Sequence, residues 1–312
     1  MAKQAPVANS KRRSLRTRRG NIPFPAYVPV TTFGDKYPLD KLIQPYLTRL
    51  ASAIMVSYHY AKDLSADKLP RLPLFVDSGG FAALFAGTEI CEQDGLGVLK
   101  IPQGEGSETV HPRDVLTLQE AIADAAFTLD FPIPPKLDLA EARIRQRLTI
   151  ANAQWALQNR RRRDLPLYAC IQAWDVDSAR DCAREYAKAG FDGVAIGGLV
   201  PRAQNRSLVL SMVEAVRSEI GELPLHVLGL GNLELVRDLY KAGVDSVDSS
   251  SYVKYAAAGK LLSNPTFKLA DPTVTDRLHL ALCNLATATG KTLPLSTSEI
   301  LFSTFSTEPC SS

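Results

Sequence analysis

Short apolar runs rich in β-branched residues alternate along this chain with longer stretches of helical periodicity. The short runs predict strands and the longer stretches predict amphipathic helices. The predicted strands are Ala26–Thr31, Ala53–Ser57, Leu74–Asp77, Ala126–Asp130, Leu167–Ile171, Gly193–Ile196, Leu225–Leu228 and Val244–Asp248. The predicted helices include Asp114–Ala125, Leu139–Asn159, Ser178–Ala189, Ser207–Ile220 and Leu233–Ala242. Alternation of this kind implies parallel strands with helical crossovers, and eight units imply a closed α/β (β/α)₈ TIM barrel.

One connection is much longer than the others. Between Asp77 and Asp114 the chain passes Asp94-Gly95 and Gly104-Glu105, which are turn signals. This predicts a β-hairpin insertion after the third strand, lying over the barrel mouth. We therefore expect three segments: a basic flexible tail at 1–20, one barrel domain at 21–291, and a weakly ordered, Ser/Thr-rich C-terminal tail at 292–312.

The composition of the chain indicates the cellular compartment in which the protein is expected. The chain has 312 residues, 46% of them hydrophobic, which is enough for a large core. No apolar run reaches the roughly 18 residues that a membrane span needs, and the N-terminus lacks the apolar segment of a signal peptide. The five cysteines are odd in number and widely spaced, which is typical of a reduced compartment. These features predict a cytoplasmic protein without a membrane partner.

Charge is distributed unevenly along the chain. The formal net charge is only +3, but residues 1–20 carry seven basic side chains and no acidic one. The remainder has 29 Lys and Arg against 33 Asp and Glu, so it is mildly acidic. A basic arm on a near-neutral body suits the phosphate backbone of a nucleic acid. The alternative interpretations of residues 1–20 are a disordered tail without a binding role or an Arg-rich transit peptide.

Polar groups and glycines stand at the carboxyl ends of several predicted strands. They are Asp77-Ser78-Gly79-Gly80, Asp130, Gln172, Gly197-Gly198-Leu199, Gly229-Leu230-Gly231 and Asp248. Each alone has an ordinary interpretation as a helix cap or a turn. Barrel enzymes build their active sites at this end of the barrel, so the joint placement predicts a site.

The chemistry open to this set is limited. The four histidines do not pair with Cys or Asp at metal-ligand spacing, so we expect no metal and no cofactor. The segment at Asp77 lacks the spacing of a phosphate loop, and Ser78 has no evident histidine base. Two carboxylates on opposite sides of this rim suit attack on an anomeric carbon with proton transfer to the leaving group. Asp130 could accept the two parallel N–H groups on the Watson–Crick edge of guanine.

The ordered set of motifs resembles the tRNA-guanine transglycosylase superfamily from about Pro23 to Lys291. The matching segments are Phe24–Val30, Ser57-Tyr58-His59, Asp77-Ser78-Gly79-Gly80-Phe81, His111–Asp114, Asp130, Ile171-Gln172, Gly193–Leu199 and Gly243–Asp248. The resemblance implies that Asp248 is a nucleophile forming a covalent glycosyl-enzyme and that Asp77 is the general acid/base. It implies substrate-binding roles for Ser78, Gly79, Asp130, Gln172, Gly197, Gly198, Leu199, Leu228 and Gly229. Members of the family exchange guanine for a 7-deazaguanine.

Several departures from the family pattern bear on the substrate. The zinc-binding cysteine cluster of the tRNA enzymes is not matched, since residues 249–312 hold only Cys283 and Cys310, and we expect no zinc subdomain. Val56 and Ala82 stand where the family has Asn and Gln, and residues 200–206 lack the usual Glu. These departures are similar to the DNA-modifying branch, which inserts 7-deazaguanines such as 7-cyano-7-deazaguanine into DNA.

Four hypotheses remain open at this point. The first is a DNA-guanine transglycosylase, which acts on DNA and a 7-deazaguanine base, with possible DNA-opening partner proteins. The second is a zinc-less tRNA enzyme. The third is a non-catalytic barrel subunit that binds nucleic acid, against which the retention of Asp77 and Asp248 argues. The fourth, an unrelated sugar-phosphate barrel enzyme, is weakened because no phosphate loop is evident beyond Gly229-Leu230-Gly231.

Overall fold

A computed structural model describes residues 13–33, 37–64, 69–264 and 266–293. Its largest sheet has eight strands in the order β3-β13-β12-β11-β10-β9-β5-β4, and every pairing in it is parallel. A parallel bridge between Val30 and Met55 brings the two outer strands together. The strands are β3 (Ala26–Pro29), β4 (Ile54–Ser57), β5 (Leu74–Asp77), β9 (Ala125–Phe127), β10 (Leu167–Ile171), β11 (Gly193–Ile196), β12 (Leu225–Val227) and β13 (Ser246–Ser249). The predicted (β/α)₈ barrel is confirmed.

Helices follow the strands and cover the outside of the sheet. They are α1 (Pro38–Leu50), α2 (Tyr58–Ala61), α3 (Pro112–Ile122), α4 (Leu139–Asn159), α5 (Val176–Ala189), α6 (Arg206–Ile220), α7 (Leu233–Lys241), α8 (Ser251–Ala257) and α9 (Val274–Thr289). Strands such as β10 and β11 are buried at every position. One face packs against the helices and the other fills the barrel, which explains why these strands read as continuous apolar runs.

The barrel interior is filled by rings from four different strands. Phe75, Phe127, Tyr168 and His226 lie with ring centroids 5.1–6.5 Å apart, and none is more than 2% exposed. This packed layer lies beneath the carboxyl ends of the strands. It therefore forms the floor on which the polar residues of the mouth stand.

Five of the eight strands differ from the predicted ranges at one or both ends, and two of these differences concern a carboxylate. Strand β9 ends at Phe127 rather than at Asp130, because the Thr128 hydroxyl accepts the Cys170 N–H at 3.0 Å in place of a main-chain carbonyl. Asp130 therefore stands on the following loop. Strand β13 spans Ser246–Ser249 rather than ending at Asp248, so Asp248 lies inside the strand, level with Val28 of β3.

The insertion after the third barrel strand is a three-stranded antiparallel sheet rather than a single hairpin. Strands β6 (Glu89–Gln93), β7 (Leu96–Gln103) and β8 (Gly106–Val110) are joined by two tight turns. Asn152 of α4 anchors the sheet, since its side chain bonds both the N–H and the C=O of Gly97, at 2.9 and 3.0 Å. A Cβ at Gly97 would come within 2.2 Å of Phe131, so only glycine allows this close approach.

The N-terminal segment differs from the expected flexible tail over its last residues. Strands β1 (Ser14–Thr17) and β2 (Gly20–Pro23) form an antiparallel hairpin. Leu15 and Ile22 pack into the same apolar cluster as Phe75 and Phe127, which anchors the hairpin at the lower end of the barrel. Residues 1–12 and 294–312 lie outside the described residues, as does Cys310.

Ion pairs hold this hairpin to the amino ends of the barrel strands. Arg13 pairs with Asp245 at 3.2 Å, and Arg19 pairs with the fully buried Asp124. Asp124 also accepts the Leu74 N–H at 2.9 Å. Basic residues of the tail are thus used in part for folding.

Within the described residues there is neither a membrane-spanning helix nor a cluster of metal ligands. None of the helices there combines the length and apolar character needed to cross a bilayer. No group of three His, Cys, Asp or Glu side chains in that part of the chain could hold a metal ion. The thiols of Cys91, Cys170, Cys182 and Cys283 are free.

Candidate active site

Asp248 is held at the centre of the site by two donors on the neighbouring strand. Its side chain is 8% exposed, and Oδ1 accepts the Gly229 N–H at 3.0 Å and contacts His226 Nε2 at 3.0 Å. Gly229 adopts a left-handed φ of +78°, which turns its N–H toward the carboxylate. Because both contacts fall on Oδ1, Oδ2 can react without breaking either of them.

Asp77 ends β5 and is only partly buried at the mouth. Its Oδ2 accepts the Gly79 N–H at 3.2 Å. Burial, followed by the like charges of Asp130 and Asp248, raises the pKa of Asp77 to about 7. A carboxyl group with a pKa near neutrality can both give and take a proton, which suits general acid/base work.

Asp130 forms a polar wall beside these two carboxylates. Its side chain is buried, with Oδ1 accepting the Ser78 hydroxyl at 2.9 Å and Oδ2 accepting Gln172 Nε2 at 2.6 Å. Burial raises the pKa of Asp130, and the Gln172 and Ser78 hydrogen bonds oppose that rise. A carboxylate offers about four lone-pair positions, so acceptor capacity remains for two N–H groups of a ligand.

Glycines are required where this wall packs against neighbouring backbone. A Cβ on Gly80 would lie 2.1 Å from the Asp130 carbonyl oxygen, and one on Gly197 would lie 2.1 Å from Gln172 Nε2. Gly198 has a φ of +70°, and a Cβ there would come within 2.7 Å of Gln172 Oε1. The glycines thus allow Asp130 and Gln172 to occupy their positions, in addition to any contact with a ligand.

Most of the residues expected at the site lie together on the same rim. Ser78, Gly79, Asp130, Gln172, Gly197 and Gly198 form one side, and Gly229 and Asp248 form another. Leu228 is half-buried and packs against the inner apolar cluster, as a side chain at the floor of the mouth would. Leu199 differs, because its side chain is fully buried in the core between sheet and helices, and only its backbone is left for a ligand.

Two residues that sequence reasoning missed support Asp248 from below. His226 Nδ1 lies 2.7 Å from the Ser246 hydroxyl while its Nε2 contacts Asp248. Both residues are buried, and they face each other across neighbouring strands. A signal was present, because Ser246 and Asp248 stand two apart on one strand and so share a face. His226 was considered only as a metal ligand.

The rim of the mouth exposes large apolar side chains. Phe81 is 62% exposed and Phe85 52%, and their rings meet edge to face with centroids 5.9 Å apart. They stand on a single 3-10 turn that follows Gly79 directly. Val200, 52% exposed, follows Gly198-Leu199 on another strand end. Exposed apolar groups beside a polar pocket are typical of a ligand-binding surface.

The two apolar substitutions noted in the sequence, Val56 and Ala82, do not line the mouth. Val56 is fully buried with the sheet–helix core, and Ala82 is buried against the inserted sheet with Leu99 and Val110. Their apolar character therefore serves packing here, and it bears on the substrate only indirectly.

Sequence comparison places the chain among known proteins. The profile of the family described as "Queuine tRNA-ribosyltransferase" matches residues 8–290. The chain belongs to this family. Since the match includes every residue of the site described above, the carboxylates and glycines of the mouth belong to the shared family domain.

Individual members of the queuine tRNA-ribosyltransferase family give the degree of similarity. A "Queuine tRNA-ribosyltransferase" of Thermotoga petrophila is 29% identical over 199 residues, covering 62% of this chain and 53% of the relative. One of Syntrophobacter fumaroxidans is 26% identical over 275 residues, covering 82% and 72%. A "tRNA-guanine(15) transglycosylase" of Methanocaldococcus jannaschii is 29% identical over 165 residues, covering 51% and 25%. The chain thus spans about half the length of the first relatives it matches.

Proposed function

We propose that this protein is a glycosyltransferase that exchanges guanine in a nucleic acid for a 7-deazaguanine base. The observation that carries the proposal is the convergence of Asp77, Asp130 and Asp248 on one rim of the barrel, each in a different hydrogen-bonding environment. Two carboxylates whose surroundings differ in this way can take the separate roles of acid/base and nucleophile.

The reaction divides into two balanced steps. Asp248 Oδ2 attacks C1′ of the target nucleotide, an ester bond forms, the bond from C1′ to guanine N9 breaks, and the departing base takes the proton of Asp77. The incoming 7-deazaguanine then gives its N9 proton to Asp77 and attacks C1′, which breaks the ester and restores the Asp248 carboxylate. The two steps return both carboxyl groups to their starting state.

Asp130, Gln172 and Gly198 are placed to select the base. The N1–H and N2–H groups of guanine would both reach the Asp130 carboxylate, whose orientation Ser78 and Gln172 fix. Leu228 and Phe81 offer apolar surface for the flat faces of the ring. A base without both donors would leave a buried acceptor unpaired, which is the strongest form of discrimination.

For the polymer we propose DNA as the first candidate, with partner proteins that open the duplex. The departure at residues 200–206, which lack the usual Glu beside the exposed Val200 of the mouth, supports this choice. A duplex guanine must leave the stack before C1′ becomes accessible, at a cost of a few kcal/mol. The exposed pair Phe81 and Phe85 could stack against a displaced base and offset part of that cost. A tRNA substrate is the second candidate, favoured by the names of all the relatives given above.

The test measures base exchange and identifies the nucleic acid in which it occurs. Purified protein is incubated with labelled guanine and either duplex DNA, single-stranded DNA or tRNA, and nucleosides from cells with and without the protein are compared by mass spectrometry. We expect incorporation that requires Asp248, with Asp248→Asn at least about 10⁴-fold slower. Withholding the incoming base should leave a nucleotide-sized adduct on Asp248.

Three results would change this proposal. Full activity of Asp248→Asn would exclude the covalent mechanism. Incorporation into tRNA alone would assign the second substrate. Binding of nucleic acid with no exchange on any of the three polymers would favour the non-catalytic subunit.

A further inference from the structure

We infer that His226 and Ser246 are positioning residues that hold Asp248 ready for attack, with the Ser246 hydroxyl selecting the imidazole tautomer that donates to the carboxylate. The inference rests on the proposed function, because it assigns a task only if Asp248 is the nucleophile. It concerns two side chains that touch neither base nor sugar. They act on the reaction through Asp248 alone.

With Asp248 ionised, as the proposed function requires, and His226 taken as a neutral imidazole, hydrogen-bond chemistry fixes the direction of each contact. An ionised carboxylate only accepts, so the atom 3.0 Å from Asp248 Oδ1, His226 Nε2, must carry a hydrogen. In a neutral imidazole Nδ1 is then an acceptor, and the group 2.7 Å from it is the Ser246 hydroxyl. Ser246 therefore donates to His226, and His226 donates to Asp248. A hydroxyl can rotate to give its hydrogen, which makes it suited to selecting this tautomer.

The surrounding rings keep the imidazole from turning over. His226 is fully buried, and Phe75, Phe127 and Tyr168 lie with ring centroids 6.0, 5.1 and 6.4 Å from its own. A flipped imidazole would need space that this packed layer does not offer. The donor is thus fixed in place by the barrel floor as well as by its own bonds.

The consequence for Asp248 is a carboxylate that cannot rotate. The Gly229 N–H and His226 Nε2–H both bond Oδ1. Loss of either would allow the group to turn about its last torsion, and Oδ2 would then spend less time aimed at C1′. Misplacement of a reacting atom by about 1 Å can reduce a rate about 100-fold.

The experiment compares three variants of the full chain in the base-exchange assay. His226→Phe removes the donor and keeps a ring, His226→Gln keeps an N–H donor, and Ser246→Ala removes the group that selects the tautomer. Tyr186→Phe is the matched control, because it deletes one buried hydroxyl, bonded to the Cys170 carbonyl at 3.0 Å, without touching Asp248. Each variant is examined for kcat, KM of the free base, and thermal unfolding.

We expect kcat to fall about 100-fold in His226→Phe and about tenfold in Ser246→Ala, with the KM of the base nearly unchanged. His226→Gln should recover at least part of the loss, and Tyr186→Phe should retain wild-type kcat. In ¹⁵N spectra of histidine-labelled protein, the signal that His226→Gln removes should show a protonated Nε2 and an unprotonated Nδ1. Ser246→Ala should alter that signal.

The outcomes separate this inference from the proposed function. An inactive wild-type protein would remove the function itself. An active wild type together with full kcat in folded His226→Phe would overturn the positioning role. A protonated Nδ1 in the wild type would overturn the part assigned to Ser246. If His226→Phe fails to fold, equal kcat in His226→Gln and His226→Ala would also contradict the inference.

Discussion

Asp77 and Asp248 face the same opening but differ in what surrounds them. Asp248 receives two contacts on one oxygen, whereas Asp77 accepts hydrogen bonds from the backbone of Ser78 and Gly79 and lies near two other carboxylates. Burial, followed by the negative neighbours, favours the protonated form of Asp77. The acid and the nucleophile are therefore distinguished by their partners, since their residue type is the same.

The pKa of Asp77, near 7, predicts opposite pH dependence for the two half-reactions. Release of guanine needs Asp77 protonated, so its single-turnover rate should fall as pH rises through about 7. Attack by the incoming base needs Asp77 ionised, so that rate should rise over the same range. Rapid-quench measurements of each half-reaction between pH 5 and 9 would check this, with Asp77→Asn as the reference. Identical pH profiles for both steps would contradict the acid/base role.

Asp130 predicts a change in base selectivity rather than a general loss of activity. Replacing Asp130 with Ala removes the acceptor for N2–H, so the preference for guanine over hypoxanthine, which lacks that amine, should fall about 10- to 100-fold. Competition between the two labelled bases measures the preference directly. An equal decrease for both bases would show that Asp130 supports the site without reading the base.

At the residue scale, the sequence predicted best those residues whose chemical type and whose position at a strand end both indicate a site. Asp77, Asp130 and Asp248 were expected on one rim because parallel strands present their carboxyl ends together, and the structure places Asp77 close enough to the other two for their charges to interact. His226 was missed because its function depends on which strand lies beside it, which periodicity does not reveal. The side chain of Leu199 points into the core, a direction that its position three residues beyond the end of β11 did not reveal.

Among the elements, the N-terminal hairpin was not predicted, because its sequence is dominated by charge. Ser14–Thr17 and Gly20–Pro23 contain few apolar residues, and only Leu15 and Ile22 mark the side that packs into the barrel. The inserted sheet was recognised only as a hairpin for a related reason. Two turn signals were visible, but a three-stranded arrangement depends on the distant anchor Asn152.

The hairpin predicts a stability difference between two adjacent arginines. Arg19 pairs with fully buried Asp124, while the side chain of Arg18 is 47% exposed and lies 3.9 Å from the same carboxylate. Arg19→Ala should lower the free energy of unfolding by about 3 kcal/mol, because it leaves a buried charge without its partner. Arg18→Ala should cost about 0.5 kcal/mol or less. Denaturant unfolding of both variants checks the comparison, and equal losses would refute it.

Over the whole described molecule, the N-terminal hairpin with its arginines and the site lie at opposite ends of the barrel. Residue Arg13 is fixed beside Asp245, before β13, whereas Asp248 opens toward the mouth. Residues 1–12 contain Lys3, Lys11 and Arg12 and would reach about 40 Å if extended. That length is sufficient to contact nucleic acid bound over the mouth, but only by passing along the outside of the barrel.

Removal of residues 1–12 predicts weaker and less salt-dependent binding of nucleic acid. Three basic side chains are lost, so the slope of log Kd against log salt concentration should decrease by about 2 to 3. The barrel should stay folded, because the hairpin begins at Ser14. A variant with Gln at positions 3, 11 and 12 is the matched control and should behave in the same way. An unchanged slope in both proteins would exclude the arm from binding.

Leu15 and Ile22 close the lower end of the barrel, and this limits how bases enter and leave the site. With the described interior packed by Phe75, Phe127 and Tyr168, a base reaches Asp248 only from above. In the proposed mechanism the sugar stays bonded to Asp248 while guanine leaves and the incoming base arrives. Both bases must therefore pass through the barrel mouth, one after the other. Released guanine that remains near the mouth would re-enter and reverse the exchange. The yield of modified nucleic acid would then depend on the concentration ratio of the two free bases in solution.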